Sequence, residues 1–286
     1  MIEGKKIGII ILNYKDAETI KHLIALIGKY HSIDDIVIVD NLSPDNSFNR
    51  LQSIRNKKIH LIQTNMNGGY SYGNNFGAFF LIEKCQSDVI FIANPDVEFT
   101  EMFLIQMVKV METYQVQAAS GYMIMPNGFK HLIRNTHINS FRREVLDCTI
   151  ILKHIFPYKG NVFKKGQGKI FVEWIPGSLF AIDANSYKKI HGLDEHVFLF
   201  YEEQILGKKF QQEGYKMIID TDVSYIHNHS TSINKSIKRY EQVKQLYQSK
   251  WYFCTHYMKI GLIKKMILRI IIFYGLSLRR ILYKFM

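Results

Sequence analysis

The chain reads as an α/β protein built on a largely parallel sheet, with a helical segment appended at its C-terminal end. Three observations predict this. Ile7 to Leu12, Ile36 to Val39 and Val89 to Ala93 are short, continuously apolar, β-branched runs, as expected of strands buried on both faces. Between the first two, Ile20, Leu23, Ile24 and Ile27 recur at helical spacing within Asp16 to Tyr30, supplying the crossover that parallel strands require. Each run then ends at a polar residue: Asn13, Asp40 and Asn94.

The chain has 286 residues, 47% of them apolar, with 19 Phe and 17 Tyr. That suffices for one sizeable domain plus an appended segment and argues against disorder. No repeat of fixed period and no low-complexity block interrupts it. Open parallel sheets bind ligands beyond the carboxyl ends of their strands. Asn13, Asp40 and Asn94 therefore converge on one crevice, and residues 1–100 read as a nucleotide-binding half.

Next along the chain, Asn67 to Gly77 holds four glycines and three asparagines in eleven residues, a density that permits backbone approach to phosphate and sugar. It lacks the Gly-Lys-Ser/Thr end of an ATPase loop and does not follow the first strand as a dinucleotide fingerprint would. ATPase and dehydrogenase readings fall away. Residues 130–170 are basic and aromatic, with Lys159 to Gly168 reading as a loop. Farther on, Gly192-Leu-Asp-Glu195 is followed by Phe198-Leu-Phe-Tyr-Glu-Glu203. Adjacent carboxylates behind an apolar wall suggest acid/base chemistry.

Taken in order, Val39 to Asp45, Asn67 to Gly77, Asn94-Pro-Asp96, Gly192 to Glu203 and His227 to Ser232 resemble the inverting family 2 glycosyltransferases of GT-A fold, and within them the rhamnosyltransferase-like group. The resemblance spans roughly residues 5–235. It implies a catalytic domain over 1–235, with its nucleotide-sugar half at 1–100 and acceptor half at 101–235. It also implies donor contacts from Asn13, Asp40, Asn67, Gly69, Asn75, Asn94 and Asp96. Asn94-Pro-Asp96 stands where the family has its DXD motif, so Asp96 would hold a divalent metal, Mn or Mg; the bland reading is an Asx-Pro turn. A carboxylate such as Asp40 can accept the imide N–H of uracil or thymine, although an Asx turn is the competing reading.

Trp174 and Gly177 fall in the stretch that resembles the family's acceptor side, where Trp174 would either face a sugar ring or fill core. Gly192 to Glu203 resembles GGFDExFFLYYED and places Glu203 where the family has its catalytic Asp. Glu203 is therefore the expected general base and Glu202 its positioning neighbour. Glu is one methylene longer than Asp, so either the backbone is set back here or the base is not Glu203. The family's DLxxR tail departs as well, reading Ile205-Leu-Gly-Lys-Lys209. His227 resembles the family's HxGGxS histidine, a metal or diphosphate ligand. The two glycines are replaced by His229 and Ser230, leaving His227 or His229 as the ligand.

Lys238 to Tyr257 is polar and helical in pattern, while Gly261 to Met286 mixes apolar residues with Lys264, Lys265, Arg269, Arg279, Arg280 and Lys284. The longest uncharged run there, Ile270 to Leu278, has nine residues, against about 20 needed to span a bilayer. Residues 236–286 are thus expected to form a basic helical tail, lying at an anionic membrane surface or packed on the domain. The formal charge of +12, from 37 Lys and Arg against 25 Asp and Glu, calls for an anionic partner. No nucleic-acid-reading module accompanies it. Cys85, Cys148 and Cys254 are distant and unpaired by any CxxC, so neither a disulfide framework nor a cysteine zinc site is indicated.

The N-terminus lacks a signal-peptide layout, so the expectation is a cytoplasmic protein, peripheral at the inner face of a bacterial cell membrane. The expected partners are a dTDP- or UDP-sugar, plausible for rhamnose, and a glycan acceptor on a lipid carrier. The alternative is a GT-A protein without turnover that acts as a membrane-docked scaffold.

Overall fold

Ile7, Ile9 and Ile11 enter one hydrophobic cluster and Ile10 the opposite one, the period of two expected of a strand covered on both faces. The computed structural model describes residues 1–54, 57–126, 137–149, 155–157, 163–228 and 239–282. Four parallel strands form one half of the sheet: β1 (Ile7–Asn13), β2 (Asp35–Asp40), β3 (Ile59–Gln63) and β4 (Val89–Ala93). Helices α1 (Ala17–Ile27), α2 (Ser47–Leu51) and α3 (Gly69–Glu83) connect them. The helical spacing read from the sequence is the buried stripe of α1, at Ile20, Leu23, Ile24 and Ile27.

The sheet continues with β8 (Leu179–Asp183) antiparallel to β4, then β6 (Ala118–Ile124), then β9 (Met217–His227) parallel to β6. β5 (Val97–Glu98) and β7 (Lys169–Val172) both pair antiparallel with β9. Among the described residues the result is a nine-stranded mixed sheet in the order β3-β2-β1-β4-β8-β6-β9-β5, with β7 off that path. One face is covered by α1 and by α4 (Glu101–Tyr114). The other is covered by α3, α6 (Ala184–Lys189) and α7 (Glu202–Glu213).

The C-terminal helices build a third cluster. Helix α8 (Arg239–Tyr252) runs into a π turn (Phe253–Tyr257) and is followed by α9 (Leu262–Leu282). Tyr247, Phe253, Cys254 and Leu268 are buried there with Val197, Ile205 and Cys148. Inside this packing, Lys250 Nζ lies 2.9 Å from Glu144 Oε2, the acid coming from α5 (Phe141–Cys148). The inner face of the C-terminal segment is therefore core. Its outer face is apolar and exposed: Leu262, Ile263, Met266, Ile270, Phe273 and Tyr274 all face solvent on α9. Among the described residues no helix is long and apolar enough to cross a membrane.

Parts of three sequence readings fall outside the described residues: 130–136, 150–154 and 158–162 of the basic loop region, His229 to Ser232 of the histidine segment, and 236–238 and 283–286 of the tail, Lys284 among them. Within that loop region, Gly166 N donates to Thr221 O at 2.9 Å and Thr221 N to Gly168 O at 2.9 Å. This turn is docked on β9.

Candidate active site

The crevice expected from the sequence starts where β1 and β2 end. Asn13 and Asp40 are register partners, and Asn13 Nδ2 donates to Asp40 Oδ1 at 2.5 Å and to Ser43 Oγ at 3.1 Å. Asp40 Oδ2 accepts from Ser43 N (3.0 Å) and from Gln63 Nε2 (2.8 Å). The Asp40 carboxylate is fully buried, and both oxygens are already engaged. Among the described residues Oδ1 accepts one bond and Oδ2 two, so Oδ1 keeps one acceptor site.

The glycine- and asparagine-rich segment forms a turn and the start of α3. Asn67 Oδ1 accepts from Asn41 Nδ2 (3.0 Å) and Gly69 N (3.2 Å), tying the turn to the end of β2. Gly69 has φ +88°, and a Cβ there would lie 2.2 Å from Phe198 O. Only glycine fits both that backbone and that approach. Tyr70 N donates to the same carbonyl at 2.9 Å. The Asn75 side chain binds Leu193 N and O, Tyr187 OH and Glu195 Oε1 at 2.6–2.9 Å. It pins α3 to the Gly192–Glu195 turn.

Beyond β4, Asn94 N donates to Ser178 O at 2.8 Å. Asp96 lies just before β5, whose Val97 pairs with His227 at the end of β9. That pairing brings His227 Nε2 to 3.2 Å from Asp96 Oδ1, with both side chains about nine-tenths buried. The two residues expected to hold a metal, 131 positions apart by 227 minus 96, are neighbours. A carboxylate oxygen and an imidazole nitrogen side by side are a donor pair that could hold a divalent cation.

The two carboxylates occupy the first turn of α7. The chain enters this helix through Phe200 (φ +71°) and Tyr201 (φ +73°), consecutive left-handed positions without glycine. Such backbone is held only where the surroundings over-determine it. Here Tyr201 OH donates to Glu144 Oε2, and its ring packs on Phe253 with centroids 5.4 Å apart. Asp194 makes a second tie to the C-terminal helices, accepting from Tyr252 OH (2.9 Å) and Tyr257 OH (2.5 Å).

Glu203 Oε1 accepts from Gly177 N at 3.3 Å, and a Cβ on Gly177 would lie 2.9 Å from that oxygen. Tyr70 OH holds the Gly177 carbonyl at 2.6 Å. Since Ser178 holds Asn94, one short strap, Gly177-Ser178, joins the carboxylate to the end of β4. Glu202 is more isolated, and its Oε1 has no hydrogen-bond partner among the described residues. Burial, and then the charge of Glu203, push the Glu202 carboxyl up to about 8. Burial raises Glu203 as well, opposed by backbone N–H groups that include Gly177.

Trp174 is half-buried, and its indole Nε1 has no hydrogen-bond partner among the described residues. The departures at Ile205 and Lys209 have a structural counterpart. Ile205 is buried in the third cluster, and Lys209 Nζ donates to the carbonyls of Ile190 (3.1 Å) and Gly192 (2.7 Å). Sequence reasoning missed Tyr70, Glu144, Tyr201 and Lys250. Glu144 and Lys250 are 106 residues apart, so no local spacing could have joined them.

A low-salt glycan biosynthesis hexosyltransferase of Haloferax volcanii, Agl10, is 27% identical over 223 residues, which cover 78% of this chain and 67% of that protein. Two solved structures share the fold. The mannosyltransferase PcManGT from Pyrobaculum calidifontis, in complex with GDP-Man and Mn2+, has a TM-score of 0.61 at 15% identity, over 96% of this chain and 72% of its own. GalNAc-T7 with UDP, GalNAc and Mn2+ has a TM-score of 0.57 at 10% identity, over 93% of this chain and 55% of its own. The sequence profile of glycosyl transferase family 2 matches residues 8–196. With that match over most of its sheet, and the GT-A architecture around it, the chain belongs to glycosyl transferase family 2 and is a glycosyltransferase.

Proposed function

We propose that this protein is an inverting hexosyltransferase that moves a sugar, rhamnose being the first to test, from a dTDP- or UDP-linked donor to a lipid-linked glycan acceptor. The observation that carries this reading is the Gly177-Ser178 strap. It holds Glu203 through Gly177 N and Asn94 through Ser178 O, so a proton acceptor and the donor crevice share one rigid element.

Two buried carboxylates side by side favour sharing one proton. Glu202, whose Oε1 has no partner among the described residues, keeps it; Glu203, stabilised by a backbone N–H, is the ionised member. Glu203 then takes the acceptor hydroxyl's proton as that oxygen bonds to the anomeric carbon, and the bond from that carbon to the diphosphate oxygen breaks with its electron pair leaving on the diphosphate. A divalent metal held by Asp96 and His227 would offset the charge that develops on the diphosphate. Asn13, Asp40, Asn67 and Gly69 shape the nucleotide side of the crevice, while Asn75 ties α3 to the Gly192–Glu195 turn. Trp174 and Gly177 lie on the acceptor side.

The reading includes a position for the protein. Exposed Ile263, Met266, Ile267, Ile270, Phe273 and Tyr274 form one stripe of α9, and Lys264, Arg269 and Arg280 are exposed on the same helix. This suits a helix lying in the interface of an anionic membrane, at the inner face of the cell membrane. Residues 1–235 would then be the catalytic unit and 236–286 the docking segment.

The test is transfer from labelled UDP- and dTDP-sugars to a lipid-linked acceptor, with the product's anomeric configuration read by NMR. Inversion, and loss of at least about a hundredfold in kcat with Glu203→Gln, are expected. Retained configuration or an active Glu203→Gln would overturn the assignment. Sedimentation with phosphatidylglycerol vesicles should carry down the wild type but not Ile270→Asp/Phe273→Asp; equal sedimentation would refute the docking surface.

A further inference from the structure

At the opposite end of the sheet from the crevice, three side chains from three elements point at one another. Asp35 opens β2, His60 lies on β3, and Cys85 follows α3. Asp35 and Asp40 are the two ends of one strand, so this cluster lies about 16 Å from the base of the crevice.

His60 Nε2 is 2.8 Å from Asp35 Oδ1 and 3.9 Å from Cys85 Sγ. Both contacts use the same ring nitrogen. A proton relay through histidine would use opposite nitrogens, as a nucleophile-base-acid triad does, so this is not a catalytic triad. Three donors turned to one point are instead the arrangement of a metal site. Among the described residues they form the one group of His, Cys, Asp or Glu whose ligand atoms all lie within 4.8 Å of one another.

We infer that Asp35, His60 and Cys85 form a binding site for a thiophilic divalent cation of the zinc class, separate from Asp96 and His227. Thiolate, imidazole and carboxylate are the ligands zinc takes. Tetrahedral bonds of about 2.0–2.3 Å set donors about 3.3–3.8 Å apart. The sulfur-nitrogen separation already lies near that range, and the oxygen-nitrogen pair must open by about half an ångström. The environment supports the ligands. Lys6 Nζ is 3.0 Å from the other oxygen, Asp35 Oδ2, and donates to Cys85 O at 2.6 Å. It thereby orients the carboxylate with Oδ1 toward His60. Phe80 packs against the His60 ring at 5.4 Å. Cys85 is buried while His60 is about one-third exposed, so water can supply a fourth ligand from that side.

The ligands are spaced 25 and 25 residues apart, which no cysteine or histidine motif in the sequence announces. A bound ion would clamp β2, β3 and the end of α3 together without touching the donor crevice.

Titration of the full-length protein with Co2+ tests this, because a cysteine ligand produces a sulfur-to-cobalt charge-transfer absorption that oxygen and nitrogen ligands do not. One equivalent bound with that absorption is expected, lost in Cys85→Ser and kept in Asp96→Ala. Zinc affinity, measured by competition with a chromophoric chelator, should fall at least about tenfold in His60→Ala. Should Cys85→Ser fail to fold by circular dichroism, His60→Ala decides the question. The inference is overturned if wild type shows no thiolate absorption, if that absorption persists in Cys85→Ser, or if His60→Ala binds zinc as tightly as wild type. None of these outcomes depends on glycosyl transfer.

Discussion

Lys250→Met removes the cation from a pair that water does not reach. The Lys250 and Glu144 side chains are 4% and 0% exposed, with 2.9 Å between Nζ and Oε2. Lys250 also donates to Glu144 O at 2.9 Å. Without it the Glu144 carboxylate stays buried with Tyr201 OH on one oxygen, while Oε1 has no hydrogen-bond partner among the described residues even in the intact protein. An uncompensated buried charge costs about 3–5 kcal/mol, a large part of the roughly 5–15 kcal/mol that holds a domain folded. Glu144→Gln/Lys250→Met removes both charges and keeps an acceptor for Tyr201, so it should recover at least half of the loss. Urea unfolding of the wild type, both single variants and the pair measures this directly. The reasoning is refuted if Lys250→Met loses less than about 1 kcal/mol, or if the pair is no more stable than Lys250→Met alone. Because Tyr201 leads into Glu202 and Glu203, Lys250→Met should also lower the transfer rate more than nucleotide affinity.

Other outcomes follow from the same geometry. The raised pKa of Glu202 means that the folded protein binds more protons than the unfolded chain between the usual carboxylate value of 4.5 and about 8. Stability should therefore fall as pH rises through that window, and Glu202→Gln should flatten the fall; an unchanged slope in urea midpoints would count against the buried pair. The acid limb of kcat/KM should lie above the ordinary carboxylate range, because burial raises Glu203, and a limb near 4 would argue for another base. In calorimetry, Asp96→Ala should weaken manganese-dependent binding of UDP or dTDP by about tenfold or more, with His227→Ala acting in the same direction; unchanged affinity in both would remove the metal from this corner. Gly69→Ala places a Cβ 2.2 Å from Phe198 O at φ +88°, costing at least about 1–2 kcal/mol from the backbone alone. It should also shift the segment that carries Glu203, and displacement of about 1 Å can lower rate about a hundredfold; wild-type kcat would show that the contact does not position the base.

The sequence was most legible where local pattern and local structure coincide. The runs at Ile7, Ile36 and Val89 became β1, β2 and β4 because short, continuous, β-branched apolar runs favour a strand covered on both faces. The pairing of Asp96 with His227 was foreseeable only through the family's motifs. The glycine- and asparagine-rich segment was read for its backbone openness, yet most of it is α3. There Gly73 and Gly77 admit close packing on the sheet, with Leu12 and Val39 where a Cβ would be, and Asn75 works as an internal pin. Those roles depend on what lies opposite each residue, which composition does not record.

The sequence alone determined the α/β class and the places of the first strands and helix, because each depends on residue type and short-range period. Tertiary structure decided which groups stand together. It brought β5 and β9 into register so that Asp96 meets His227, and set Gly177 against Glu203. It also divided the C-terminal helices into a buried inner face holding Lys250 to Glu144 and an exposed apolar outer face. Burial, charge pairing and ligand geometry are properties of neighbours in space, and residues 26, 106 or 131 positions apart become neighbours only when the sheet and its helices close around them.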